Sequence, residues 1–280
     1  MTIPYFALGE SGLPLHFLHA NGYPPECYLP LITRISNQYR VFAMKQRPLW
    51  LDSKPGEISD WYPLTDDFLR FLDERQTGPA IGIGHSLGGI VTLRAALRQP
   101  NRFRALILID PVFFPPRMIA FMRVIRFFGL SSRLHPFAVG ALRRRRVFED
   151  RSSLFNGYRR KSVFHFFSDT SLDAYIDGLT HLRDDGRIEL VYSPEWEARI
   201  YITGIWHDMD LWRGLPGLEI PLMIIRGAET DTFLASTGRC VLRKLPSAQV
   251  VSIPQSTHLV PLERPDEVYQ AIQGFLQENI

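Results

Sequence analysis

Leu15-His16-Phe17-Leu18, Tyr39 to Met44, Pro79 to Ile83 and Ala105 to Ile109 are apolar runs of strand length. Runs this short, bounded by turn residues, read as buried strands. Between the first two, Cys27 to Gln38 places Leu29, Leu31, Ile32 and Ile35 at helical spacing. A second helix is expected from a cap at Ser59 or Asp60 to about Glu74. Trp61, Leu64, Phe68, Leu69, Phe71 and Leu72 supply its apolar face. A third runs from Ile90 to Leu97. Strands alternating with helices predict an α/β fold, with a doubly wound, mostly parallel sheet covered on both faces.

After Asp110-Pro111 the pattern changes. Helices are expected near Met118–Phe128, Phe137–Glu149, Ser152–Phe167 and Ser171–Leu182. Strand-like runs return only at Pro221 to Ile225 and Gln249 to Ile253, and a last helix is expected from about Asp266 to Glu278. Residues 1–112 and 215–280 therefore read as one core domain, and 113–214 as a helical cap inserted into it.

Composition narrows the class without defining it. The 280 residues are 45% hydrophobic and 22% charged, with a net charge of +3, which is ordinary for a globular enzyme and gives no reason to expect nucleic-acid binding. Cys27 and Cys240 have no metal-ligand or redox spacing, which points to a reducing compartment. No basic leader with a long apolar core opens the chain, and no apolar run reaches membrane-spanning length. The expectation is a cytoplasmic protein without an integral membrane segment.

The candidate chemistry centres on Gly84-His85-Ser86-Leu87-Gly88-Gly89. It lies between the run ending at Ile83 and the helix formers from Ile90. A G-x-S-x-G sequence joining strand to helix is a nucleophile elbow, in which the flanking glycines let strand and helix approach the strained serine. The turn aims Leu87 N–H, at the helix start, at a developing oxyanion. Serine needs a base, and the base needs an orienting acid. In elbow-containing sheets these follow in the order Ser, Asp or Glu, His. His258, beyond the last strand, is the base candidate. Asp231 is preferred as acid over Glu229, and over Asp110, which reads as a strand terminator. The loop His19-Ala20-Asn21-Gly22 offers Asn21 N–H as second oxyanion donor, with Ala20 as the neighbouring choice. His19, Ala20, Trp50, Phe113, Trp196 and His207 are the candidate pocket residues.

Together, His19 to Gly22, Gly84 to Gly89, Leu108 to Pro111, Arg226-Gly227 through Asp231 and His258 through Pro265 resemble the α/β-hydrolase superfamily. The branch is that of capped esterases, C–C hydrolases, epoxide hydrolases and haloalkane dehalogenases. The resemblance implies a water-dependent hydrolase of a small-molecule acyl substrate, with no metal or organic cofactor. Relatives usually carry His-Gly where this chain has His19-Ala20. They also commonly continue the second strand into Asp-x-Arg-Gly, whereas here Lys45-Gln46-Arg47-Pro48 follows. Serine at position 86 argues against the dehalogenases and epoxide hydrolases, which attack with a carboxylate. The expected function is cleavage of a carboxylic ester through an acyl-enzyme. The alternatives are a C–C hydrolase of vinylogous diketones and a hydrolase-fold binding protein. For the arginine-rich, apolar cap the simpler reading is packing on the core with a salt-bridged surface. The alternatives are contact of Met118 to Phe128 with a lipid surface, and an anion held by Arg143 to Arg146.

Overall fold

The computed structural model describes residues 2–128 and 136–280. Its central sheet contains β1 (Tyr5–Leu8), β2 (Pro14–Leu18), β3 (Arg40–Met44), β4 (Ala80–His85), β5 (Phe103–Ile109), β9 (Leu222–Gly227) and β10 (Gln249–Ile253). Their spatial order is β1-β3-β2-β4-β5-β9-β10. Every neighbouring pair is parallel except β1, which runs antiparallel to β3. All six strands expected from the apolar runs form. β1 was not anticipated: it is a half-buried edge strand with weak alternation, specified by its pairing with β3.

Helices α1 (Leu29–Ile35), α2 (Tyr62–Arg75) and α3 (Leu87–Arg98) connect the first strands. Strand side chains alternate between two cores, as the period of two requires. Leu106, Leu108, Leu222 and Ile224 face the core shared with Phe68, Phe71, Ile90 and Leu93 of α2 and α3. Ile107, Ile109, Met223 and Ile225 face the opposite core, with Leu31, Ile32 and Ile35 of α1.

Between β5 and β9 lie α4 (Pro116–Phe127), α5 (Pro136–Leu142), α6 (Arg151–Arg159), α7 (Asp169–Leu179), α8 (Pro194–Thr203) and α9 (Met209–Gly214). This segment is not purely helical. Strands β6 (Val147–Phe148), β7 (Thr180–Leu182) and β8 (Ile188–Leu190) form a small antiparallel sheet. The expected helices end early: those ending at Leu142 and Leu179 give way to these strands, and the one ending at Arg159 gives way to a turn and a short 3-10 helix, Ser162–Phe164. Two- and three-residue strands carry too little periodicity to announce themselves. After β9 come α10 (Ala235–Lys244), α11 (Val260–Glu263) and α12 (Pro265–Asn279). No helix among the described residues is long and apolar enough to cross a membrane.

Three buried histidines make the fold sensitive to acid. His16 lies among Phe42, Phe68 and Phe71, and burial pushes its imidazole down to about 3. Burial likewise pushes His19 down to about 4, and His85 well below its ordinary range. The folded protein keeps all three neutral, whereas the unfolded chain protonates them near pH 6.5. Stability is thus fully present above that pH and is lost as the pH falls. Asp208 opposes this more weakly, because burial raises its carboxyl to about 6 and the native state then takes up a proton first. The net expectation is a loss of about 2 kcal/mol between pH 7.5 and 6. Urea unfolding at the two values measures it, and a flat or rising midpoint towards pH 6 contradicts it.

Candidate active site

Ser86 lies between β4 and α3 with φ 56° and ψ −116°. Such a conformation costs about 1–3 kcal/mol and persists only where its surroundings impose it. Here Ser86 N–H donates to Ile109 O at 2.9 Å. A Cβ on Gly84 would meet Gly88 O at 2.3 Å, and one on Gly88 would meet Leu18 O at 2.3 Å. The glycines are therefore required by contact distance between β4, α3 and β2. Leu87 is the first residue of α3, so its N–H opens the positive end of that helix beside Oγ. The strand order reverses direction between β2 and β4, and open α/β sheets place their sites at such a crevice.

His258 comes to Ser86 from the loop after β10, with Nε2 2.9 Å from Oγ. Its Nδ1 lies 2.9 Å from Oδ1 of Asp110. A carboxylate only accepts, so Nδ1 carries the proton and Nε2 is free to accept from the serine hydroxyl. Asp110 is fully buried. Its Oδ2 accepts from Gly227 N–H at 2.9 Å, and Oδ1 accepts from Thr230 Oγ1 at 2.7 Å and Phe233 N–H at 3.4 Å.

The acid facing His258 is thus Asp110, in place of the expected Asp231. The reason is register. His85 pairs with Ile109 across β4 and β5, so the next residues, Ser86 and Asp110, leave adjacent strands side by side. Asp231 and Glu229 are exposed, on a loop after β9, one strand further away. The end of β9 and that loop instead contribute the donors of Gly227, Thr230 and Phe233 to Asp110. The strand-following position of Asp110 was the available signal, but its value depended on knowing that β5 neighbours β4.

Two partners, His85 and Glu263, hold the histidine loop. His85 Nε2–H donates to the His258 carbonyl at 2.8 Å, leaving Nδ1 to accept from Tyr28 O–H at 2.7 Å. Tyr28 Oη in turn accepts Ala20 N–H at 3.2 Å. This chain, buried from Ala20 through Tyr28 to His85, ties the Ala20 loop, the elbow and His258 together, and it withdraws Ala20 N–H as an oxyanion donor. On the other side of the loop, buried Glu263 accepts from Thr257 N–H at 2.7 Å and Thr257 Oγ1 at 2.8 Å. Asn21 is oriented by its side chain, which donates to Glu197 O at 3.1 Å and accepts from Tyr192 O–H at 3.0 Å.

A cavity of about 710 Å³ opens over Ser86, within the range that holds small ligands. Ala20, Asn21, Leu87 and His258 form its floor. Trp61, Met118, Met122, Ile200 and Ile205 are among its apolar walls. Its charged lining, among the described residues, comprises Glu229 and Asp231 with no lysine or arginine. Of the expected pocket residues only Ala20 is there. His19 is buried, its ring nitrogens engaged by Ala20 O and Gln46 N–H. Trp50 donates to Lys45 O and packs under Arg47 and Arg70. Phe113 stacks on Trp212, Trp196 is core, and His207 stacks on Tyr62 at the surface. Aromatic type alone did not reveal which way each ring faces. Trp61, the tryptophan that does line the cavity, is held by donation to Ile200 O at 3.1 Å.

The model of the alpha/beta hydrolase family matches residues 17–271. The 2-(acetamidomethylene)succinate hydrolase of Mesorhizobium japonicum is 24% identical over 266 residues, covering 95% of this chain and 88% of the relative. The crystal structure of E-2-(acetamidomethylene)succinate hydrolase superposes with a TM-score of 0.76 at 22% identity, covering 97% of this chain and 93% of that one. A thermophilic esterase from Thermogutta terrifontis superposes with a TM-score of 0.70 at 20% identity, covering 99% and 93%. At these identities the structural likeness speaks for the fold.

Proposed function

From the premise that the chain belongs to the alpha/beta hydrolase family and is a hydrolase, we propose that it cleaves an uncharged carboxylic ester through an acyl-enzyme. The observation that carries this reading is the unbroken line from Ser86 Oγ through His258 to Asp110, each contact 2.9 Å. His258 Nε2 takes the hydroxyl proton as Oγ attacks the carbonyl carbon. The N–H groups of Leu87 and Asn21 receive the oxyanion, and Asp110 stabilises the imidazolium. The imidazolium then returns its proton to the leaving alcohol. Water, deprotonated by His258, adds to the acyl-serine, and its collapse frees the acid and Ser86. Residues 113–214 serve as the cap, because α4 and α8 wall the cavity above Ser86.

Substrate charge follows from the lining. The relative in Mesorhizobium is named for a succinate derivative, a dicarboxylate. Glu229 and Asp231 at this cavity would repel such a substrate, and the described walls offer no cation to receive it. Apolar walls instead favour an uncharged acyl group. A fluorophosphonate should therefore modify Ser86, and neutral esters should turn over at least about tenfold faster than matched dicarboxylates. That ratio corresponds to ~1.4 kcal/mol of discrimination. Mass spectrometry of the adduct and a panel of esters, dicarboxylates and vinylogous diketones test both halves. An unmodified Ser86 overturns the nucleophile assignment. Preferential cleavage of diketones overturns the ester.

A further inference from the structure

Helix α4 is apolar on both sides, and only one side is covered. Met118, Met122 and Ile125 line the cavity, and Ile119 is fully buried. Along the outer stripe, next round the helix from the cavity-lining one, run Arg117, Phe121 and Val124 at helical spacing, continued by Phe128 just past the helix end. Phe121 is 63% exposed, Val124 56% and Phe128 68%, with Phe127 beside them at 85%. An ordinary surface helix turns charged groups outward and keeps its large apolar side chains on the core side. Here large apolar groups stand in water beside a wall of the cavity.

The charge on this helix is one-sided. From Pro111 to Phe128 the sequence contains no aspartate or glutamate, yet it carries Arg117, Arg123 and Arg126. Arg117 and Arg123 are exposed and have no acidic partner among the described residues. A second copy of the chain is a poor occupant, because self-pairing would set arginine against arginine. A surface offering both an apolar layer and negative charge satisfies the face completely. We propose that the outer side of α4 is a docking surface for an anionic lipid bilayer. Phe121, Val124 and Phe128 enter the headgroup–acyl boundary, while Arg117 and Arg123 lie on the phosphates. The same helix walls the cavity, so an apolar ester could pass from bilayer to Ser86. That consequence rests on the hydrolytic reading, whereas the docking itself does not.

Flotation of the full chain with vesicles separates the outcomes. The expectation is at least about tenfold stronger binding to vesicles containing phosphatidylglycerol than to pure phosphatidylcholine, weakening with salt. Phe121→Asp with Val124→Asp should lower that binding at least about tenfold. Arg117→Glu with Arg123→Glu should abolish the preference for phosphatidylglycerol. Both double variants alter exposed positions outside the cavity lining and should hydrolyse a soluble ester like the parent. Failure of the parent to float overturns the proposal, as does flotation unchanged in both variants. A dimer in light scattering that Phe121→Asp with Val124→Asp dissolves, without vesicle binding, assigns the face to a second copy. Because flotation requires no turnover, a parent that floats but cleaves no ester would refute the ester reading alone.

Discussion

Asp110→Asn is expected to lower kcat/KM on the best ester by about 10³- to 10⁴-fold, while Asp231→Asn stays within a few-fold of the parent. The asymmetry follows from the two environments. The Asp110 carboxylate faces only donors: His258 Nδ1–H, Gly227 N–H, Thr230 O–H and Phe233 N–H. An asparagine must turn an NH₂ group towards one of them. If it faces His258, the ring accepts at Nδ1 and its proton moves to Nε2, where it points at Ser86 Oγ. That tautomer cannot take the serine proton, so attack stalls although the atoms remain in place. Asp231 is exposed and its described hydrogen bond comes from the adjacent Thr232 side chain, so its loss disturbs no proton transfer. Fluorophosphonate labelling rates give a second readout, and should fall with Asp110→Asn alone. Equal losses in both variants would remove Asp110 from the mechanism.

What could be read in the chain divides by how local the information is. Ser86 and its glycines are a contiguous signal, because the strand, the strained turn and the helix start lie within ten residues of one another. His258 was legible from position, lying just beyond the final strand in the order the chemistry requires. Asp110 was harder, although it directly follows a strand. The choice between the loop after β5 and the loop after β9 turns on which strand lies beside β4, and the linear pattern carries no strand order. The Tyr28–His85–His258 chain joins residues 57 and 173 positions apart in its two links, so no window contains it. Fold class was legible because buried parallel strands are nearly continuous apolar runs. The small antiparallel sheet was not, since Val147-Phe148 follows four arginines and has no repeat to detect. Pocket aromatics failed for a further reason. Trp50, Phe113, Trp196 and Trp61 are chemically alike in sequence, and only packing decides which ring meets the cavity.

Ser86→Ala should reduce ester turnover by at least about 10⁴-fold while leaving the fold intact. Alanine keeps the Cβ that the turn already accommodates at φ 56°, so the substitution adds no new backbone strain. It removes only Oγ, and the His258 side chain that loses this partner is a quarter exposed, not sealed in the core. Thermal unfolding should therefore match the parent closely. The decisive comparison is the double variant Ser86→Ala with Asp110→Asn. Asp110 acts through His258, and His258 acts through Ser86 Oγ. Once Oγ is gone, the tautomer of the ring no longer governs attack, and the second substitution should cost little more. Groups that work as one unit are non-additive in this way, whereas independent contributions multiply. A double variant slower than Ser86→Ala by a further thousandfold would mean that Asp110 supports the site by another route. The hydrogen-bond line from Oγ to Oδ1 would then be structural company for the serine, not its means of activation.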